Sequence, residues 1–115
     1  MKIEISEKQR DVLIAALDTY SRLKMGQLWA VAEAVRDCKT RTGEPLPDYW
    51  DIREKHTDPL TMALFGYPGN ASHGIVSPLV PVDGKIAHDI QCVLVLRTHD
   101  NIMPVCRSEP LAKVL

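Results

Sequence analysis

The stretch Ser6 to Cys38, SEKQRDVLIAALDTYSRLKMGQLWAVAEAVRDC, decides the fold. Ser6 with Gln9 three positions on is a capping box, in which each side chain can satisfy the other's backbone N–H at a helix start. Val12, Leu13, Ala16, Leu17, Tyr20 and Leu23 then recur at three- and four-residue intervals, which predicts an amphipathic helix from about Glu7 to Lys24 with those residues inward. Gly26 breaks the pattern, at a cost of about 1 kcal/mol relative to alanine if a helix ran through it. The spacing therefore predicts a bend at Gly26 and a second helix, Gln27 to Cys38, with Leu28, Val31, Ala32 and Val35 facing in.

Outward from these helices the chain is punctuated by turn residues. Lys39 to Pro47, KTRTGEPLP, reads as a surface linker. Asp48 can cap a short helical turn through Tyr49, Trp50 and Ile52, and Asp58-Pro59 signals a helix to Phe65. Four of the six glycines and three of the eight prolines fall between Gly66 and Gly84, so GYPGNASHGIVSPLVP reads as a polar loop presented ahead of a last helix that Asp83 can cap. That helix carries Ile86, Ile90, Val93, Leu94 and Arg97 on one side. Its end, CVLVL, reads equally as a buried strand. At the N-terminus KIEI alternates as a short strand does, and IMPVCR, extended, is the partner it could pair with at a sheet edge, where Pro104 would be tolerated. The expectation is one mainly α-helical, compact domain spanning 1–115, with a Gly/Pro-rich loop and a small two-stranded β element.

Composition narrows the function classes. A hydrophobic fraction of 45%, a charged fraction of 25% and a net charge of −1 describe a globular chain without the basic face of a general nucleic-acid binder. The longest apolar run, Cys92 to Leu96, is far short of the ~20 residues of a membrane span. No signal peptide opens the chain, and the expected location is cytoplasmic. Cys38, Cys92 and Cys106 are widely spaced and expected to be reduced thiols, two or more of them in the core. Neither they nor His56, His73, His88 and His99 show metal-ligand spacing, so no metal and no cofactor is expected.

Candidate binding residues concentrate at three places. Asn70, Ser72 and His73 are hydrogen-bonding side chains among Gly69 and Gly74, which permit close backbone approach; a turn without a ligand explains them as well. Tyr20, Ser21, Arg22 and Gln27 set a phenol, a hydroxyl, a guanidinium and an amide around one helix corner, and arginine suits phosphate through its fork of donors. Asp89 and Arg97, eight positions apart, share nearly one helix face. A structural role is the competing reading for each. No nucleophile with an organised base stands out, so no catalytic residue is assigned. Trp29, off the main apolar face, is the candidate for a subunit contact within a homo-oligomer, a dimer by default.

The segments LDTYSRLKMGQL, Leu17 to Leu28, and NASHGIVSPLVPVDGKIAHDIQCVLVLR, Asn70 to Arg97, cover about a third of the chain. They resemble small proteins encoded by bacteriophages and prophages in Tyr20 to Arg22, Met25 to Gln27, Ser72, Gly74, Ile75, Ser77, Pro78, Ala87, Asp89 and Ile90. His88 and the tail from Thr98 depart from that pattern. The resemblance implies a counter-defence factor in the bacterial host's cytoplasm that sequesters a nucleotide-derived immune signal without catalysis. Its rivals are an inhibitor or adaptor that binds a host protein and, third, a small hydrolase or transferase working through His73 or through His88 and Asp89.

Overall fold

A computed structural model describes all 115 residues. The elements in order are α1 (Glu7–Lys24), α2 (Trp29–Ala34), α3 (Tyr49–Ile52), one π-helical turn (Arg53–Thr57), α4 (Asp58–Phe65) and α5 (Val82–Leu96). The domain is mainly α-helical. Both halves of the capping box form: Gln9 N donates to Ser6 Oγ at 3.2 Å and Ser6 N to Gln9 Oε1 at 2.8 Å. The corner lies at Gly26, whose φ of +87° is the left-handed region glycine adopts without penalty. A Cβ added there would press on the Phe65 ring at 3.3 Å, so the corner is also a packing contact with the end of α4. Residues 92–96 belong to α5 and are helical.

The fold is organised by α1 and α5, which run antiparallel along each other's length. At one end Arg10 Nε and Nη2 donate to the carbonyls of Leu94 and Val95, at 2.8 and 3.1 Å, satisfying acceptors that a helix C-terminus leaves open. Arg97, in the left-handed conformation that ends α5, reaches Glu7 at 2.7 Å. At the other end Tyr20 Oη donates to Asp83 Oδ2 at 2.6 Å, and Lys24 Nζ lies 3.3 Å from the same oxygen. These two partners hold the exposed Asp83 carboxyl below its ordinary pKa, and the bond to Asp83 raises the Tyr20 phenol. Between the ends, Gly84 lets the backbones approach: a Cβ on it would fall 2.6 Å from Lys24 Cβ.

Five expectations from the sequence are revised. The stripe of α1 that turns inward is Arg10, Ile14, Leu17 and Ser21, while Val12, Leu13, Ala16 and Tyr20 are exposed. The end clasps hold Arg10 and Lys24, and the hydroxyl tip of Tyr20, to α5, and with α1 so turned Val12, Leu13 and Ala16 face away. The second helix is short, and Ala30 and Ala32, not Val31, are its buried residues. Asp83 is not the cap of α5: Pro81 occupies that position, and Asp83 sits in the first turn, clasping α1. No strand forms between 1–6 and 102–107; the one β-bridge, Lys39 with Pro45, closes the turn around Gly43. Residues 1–5 instead lie with 112–115 over Ile90, Val93 and Leu94, which covers the apolar side expected for α5. Of the cysteines, Cys106 alone is buried, Cys92 is half-buried and Cys38 exposed.

Residues 49–65 form a continuous helical run whose middle widens to a π turn, and Arg53 at its start anchors the following loop. Its guanidinium donates to Asp58 Oδ1 at 3.2 Å and to the Gly69 carbonyl at 3.1 Å. Gly69 packs so tightly on the Asp58 side chain that a Cβ there would collide with Asp58 Cγ.

Gly84→Ala should force the two long helices apart, because the obstacle is the first carbon of Lys24 rather than the tip of a flexible chain. The intrinsic helical gain of alanine, about 1 kcal/mol, offsets part of an overpacking cost of about 1–3 kcal/mol. We expect a net loss of about 1 kcal/mol in urea unfolding; an equally or more stable variant would contradict the close approach.

Candidate functional site

α1, α5 and the loop ahead of α5 enclose a cleft of ≈ 490 Å³ lined by Asp18, Ser21, Arg22, Met25, Ile75, His88, Gln91, Cys92, Val95 and Leu96. The i, i+3 and i+4 spacings of helices explain its walls. Asp18, Ser21, Arg22 and Met25 stack along one side of α1, and His88, Gln91, Cys92 and Val95 along one side of α5. Methionine, isoleucine, valine and leucine make much of the surface apolar, and the polar groups are few and tied together, as small-molecule sites commonly are.

Three of those polar residues, Gln91, Asp18 and Arg22, are hydrogen-bonded in series, and the series continues outside the lining through Gln27 to Ser72. Gln91 Nε2 donates to Asp18 Oδ1 at 3.2 Å, and Arg22 Nε donates to Asp18 Oδ2 at 2.9 Å. Arg22 Nη1 donates to Gln27 Oε1 at 2.8 Å, and Gln27 Nε2 to Ser72 Oγ at 3.0 Å. The series thus runs from α5 across α1 to the loop. The Trp29 ring lies under the Arg22 guanidinium, 5.0 Å from its carbon to the ring centroid, so one face of this half-buried tryptophan is engaged within its own chain.

The ten residues singled out from sequence therefore divide. Ser21 and Arg22 line the cleft, and Gln27 and Ser72 continue its polar chain. His73 is held from both sides: its backbone N–H donates to the Met25 carbonyl at 3.0 Å, and its Nδ1 lies 3.0 Å from the Tyr67 hydroxyl. That contact fixes the loop against the Gly26 corner. Asn70 and Gly74 are exposed and do not line the cleft, and the close approach that Gly69 permits is to Asp58, within the protein. The three segments do not converge as a whole. Tyr20 points to the Asp83 clasp, Arg97 pairs with Glu7 at the far end of α1, and Asp89 faces away from the cleft. Asp89 is 6% exposed, and its two oxygens accept the backbone N–H groups of Val105 and Cys106, each at 2.9 Å, which pins the C-terminal segment to α5.

Asp18, His88, Gln91 and Cys92 complete the cleft and were missed as a group. Two of the signals stood in the sequence: Asp18 is four residues before Arg22, and His88 four before Cys92, so each pair shares a helix face. Cys92 Sγ lies 3.9 Å from His88 Nδ1. Burial pushes the Cys92 thiol above its ordinary pKa, and the negative charge of Asp89 acts in the same direction. The thiol is accordingly protonated near neutral pH, the opposite of what activates a cysteine nucleophile. His88 Nδ1 is 3.6 Å from Asp89 Oδ1, beyond hydrogen-bond range, and that oxygen is already taken by the Val105 amide. No group of three or more histidine, cysteine or acidic side chains is placed to hold a metal ion. No helix is long and apolar enough to cross a membrane.

In comparisons with known proteins the chain matches no family model, no curated protein and no solved structure.

Thiol chemistry gives a direct readout of this geometry. Near neutral pH an alkylating reagent should modify exposed Cys38 first, Cys92 much more slowly and Cys106 last, and the Cys92 rate should climb when the solution is made alkaline, because the thiolate is the reacting form. Time-resolved mass spectrometry of the modified peptides measures the order; Cys92 outpacing Cys38 at neutral pH would refute the raised thiol pKa.

Proposed function

We propose that the protein binds a nucleotide-derived small molecule in the α1–α5 cleft and sequesters it without chemical change, as a phage counter-defence factor acting in the host cytoplasm. The observation that carries this reading is the series Gln91–Asp18–Arg22 on the wall of a half-apolar cleft of ≈ 490 Å³, continued beyond it by Gln27 and Ser72. Apolar walls suit the faces of a heterocycle, and fixed donors and acceptors suit its edge. The protonated Cys92 thiol and the full engagement of Asp89 support binding over catalysis. The resemblance to phage proteins in Tyr20 to Arg22 and Met25 to Gln27 supports the biological setting.

The charges in the cleft refine the ligand. Asp18 sits beside Arg22, so the acceptor and the donor fork are adjacent and nearly cancel in charge. This suits a base edge with N–H donors next to a carbonyl, the pattern of guanine, better than a bare phosphate, which Asp18 repels. Phosphates then lie toward the mouth of the cleft.

A second reading, inhibition of a host protein, draws on α4. Leu60 and Leu64, one turn apart on a single face, are 48% and 65% exposed.

Calorimetry with GMP, AMP, cyclic nucleotides and ADP-ribose derivatives tests the first reading. We expect binding that favours guanine over adenine, weakened by about 1.5–3 kcal/mol in Arg22→Ala and in Asp18→Asn through loss of a charge-assisted hydrogen bond. Arg97→Ala should bind as the wild type does, since its partner is Glu7. No binding of any nucleotide would leave the inhibitor reading ahead, to be pursued by capture of the α4 partner.

A further inference from the structure

His88 and Cys92, four residues apart, meet on the face of α5 that lines the cleft, with Cys92 Sγ 3.9 Å from His88 Nδ1. Burial keeps the thiol protonated, and sulfur is a weak acceptor beside an imidazole nitrogen, so the S–H donates and Nδ1 accepts. The carboxylate next along the helix does not reverse this. Asp89 Oδ1 is 3.6 Å from Nδ1 and already holds the Val105 amide. A neutral imidazole whose Nδ1 is bare carries its proton on Nε2, so the thiol sets the tautomer of the ring.

Both of these contacts are made by Nδ1, which leaves the Nε2–H without a partner in the protein. The His88 side chain is 34% exposed, which puts that donor between the cleft wall and solvent. The charged groups that face the cleft or flank the ring are all engaged elsewhere. Arg22 and Asp18 pair with each other at 2.9 Å, Gln91 donates to the second Asp18 oxygen, and Asp89 is held by the tail amides. His88 lies one turn along α5 from Gln91, displaced from the polar series that suits a base edge.

We propose that His88 is the phosphate contact of the cleft, its Nε2–H donating to a phosphate oxygen of the bound guanine nucleotide, and that Cys92 is a positioning residue acting through the His88 tautomer. This rests on the nucleotide reading of the cleft and adds to it the group that tells a nucleotide from a nucleoside.

Calorimetry of GMP against guanosine reads the contact. The wild type should bind GMP about tenfold more tightly, the effect of one hydrogen bond to a charged group. His88→Asn, whose amide reaches only the Nδ1 position, should bind the two equally, whereas His88→Gln, whose amide nitrogen reaches that of Nε2, should keep most of the preference. Cys92→Ala should reduce the preference and Cys92→Ser, which keeps a donor to Nδ1, should restore it, a recovery that lost packing alone does not produce. Equal binding of GMP and guanosine by the wild type would overturn the phosphate contact and leave the guanine reading standing; binding of neither would overturn both. A preference that survives His88→Asn would move the phosphate to Arg22 and overturn the part given to His88. A Cys92→Ser variant no better than Cys92→Ala would overturn the positioning role of the thiol.

Discussion

The close approach of α1 and α5 is the constraint on which the rest depends. Gly84 removes the side chain that would keep the helices apart, and polar clasps at both ends fix how α1 is rotated. That rotation determines which of its side chains reach the cleft. With Arg10 bound to the carbonyls that end α5 and Lys24 bound to Asp83, Asp18 and Arg22 have one available direction, toward Gln91 and the loop. The cleft follows from the helix pair and needs no separate scaffold.

Much of the architecture could be read from residues whose effect is local. Ser6 with Gln9, the helix that follows, the corner at Gly26 and the cap at Asp48 depend on neighbours within a few positions, and each stands as expected. What could not be read is the competition between two faces of one helix. By hydropathy the stripe of Val12, Leu13 and Ala16 should go inward; long-range bonds from Arg10 and Lys24, residues that hydropathy scores as surface, decide otherwise. The β pairing of KIEI with IMPVCR failed for a similar reason: Asp89 captures the backbone amides of Val105 and Cys106, two of the groups that a strand partner would have used.

The cleft was half legible. Arg22, Gln27 and Ser72 could be picked as polar residues near glycines, and they do lie along one hydrogen-bonded series. Gln91 could not be weighted, because a glutamine on a helix is ordinary until the opposite wall is known, and His88 was paired with its sequence neighbour Asp89 although Cys92, one turn on, shares its face of the cleft. Asp89 and Arg97 misled for the converse reason: a charged residue on the last helix looks available until its partner, a tail amide or Glu7, is found elsewhere in the chain.

The Asp89 contact joins the C-terminal segment to the helix that forms one wall of the cleft. A buried carboxylate whose two oxygens both hold main-chain amides is costly to release, since pulling residues 105 and 106 away strands a charge in an apolar setting. Detachment of the tail and displacement of α5 are thereby made mutually unfavourable unless they occur together. One side of this helix thus reports to the tail while the other faces the cleft, so a tether, tag or partner pulling on the last ten residues acts mechanically on His88, Gln91 and Cys92 without touching them.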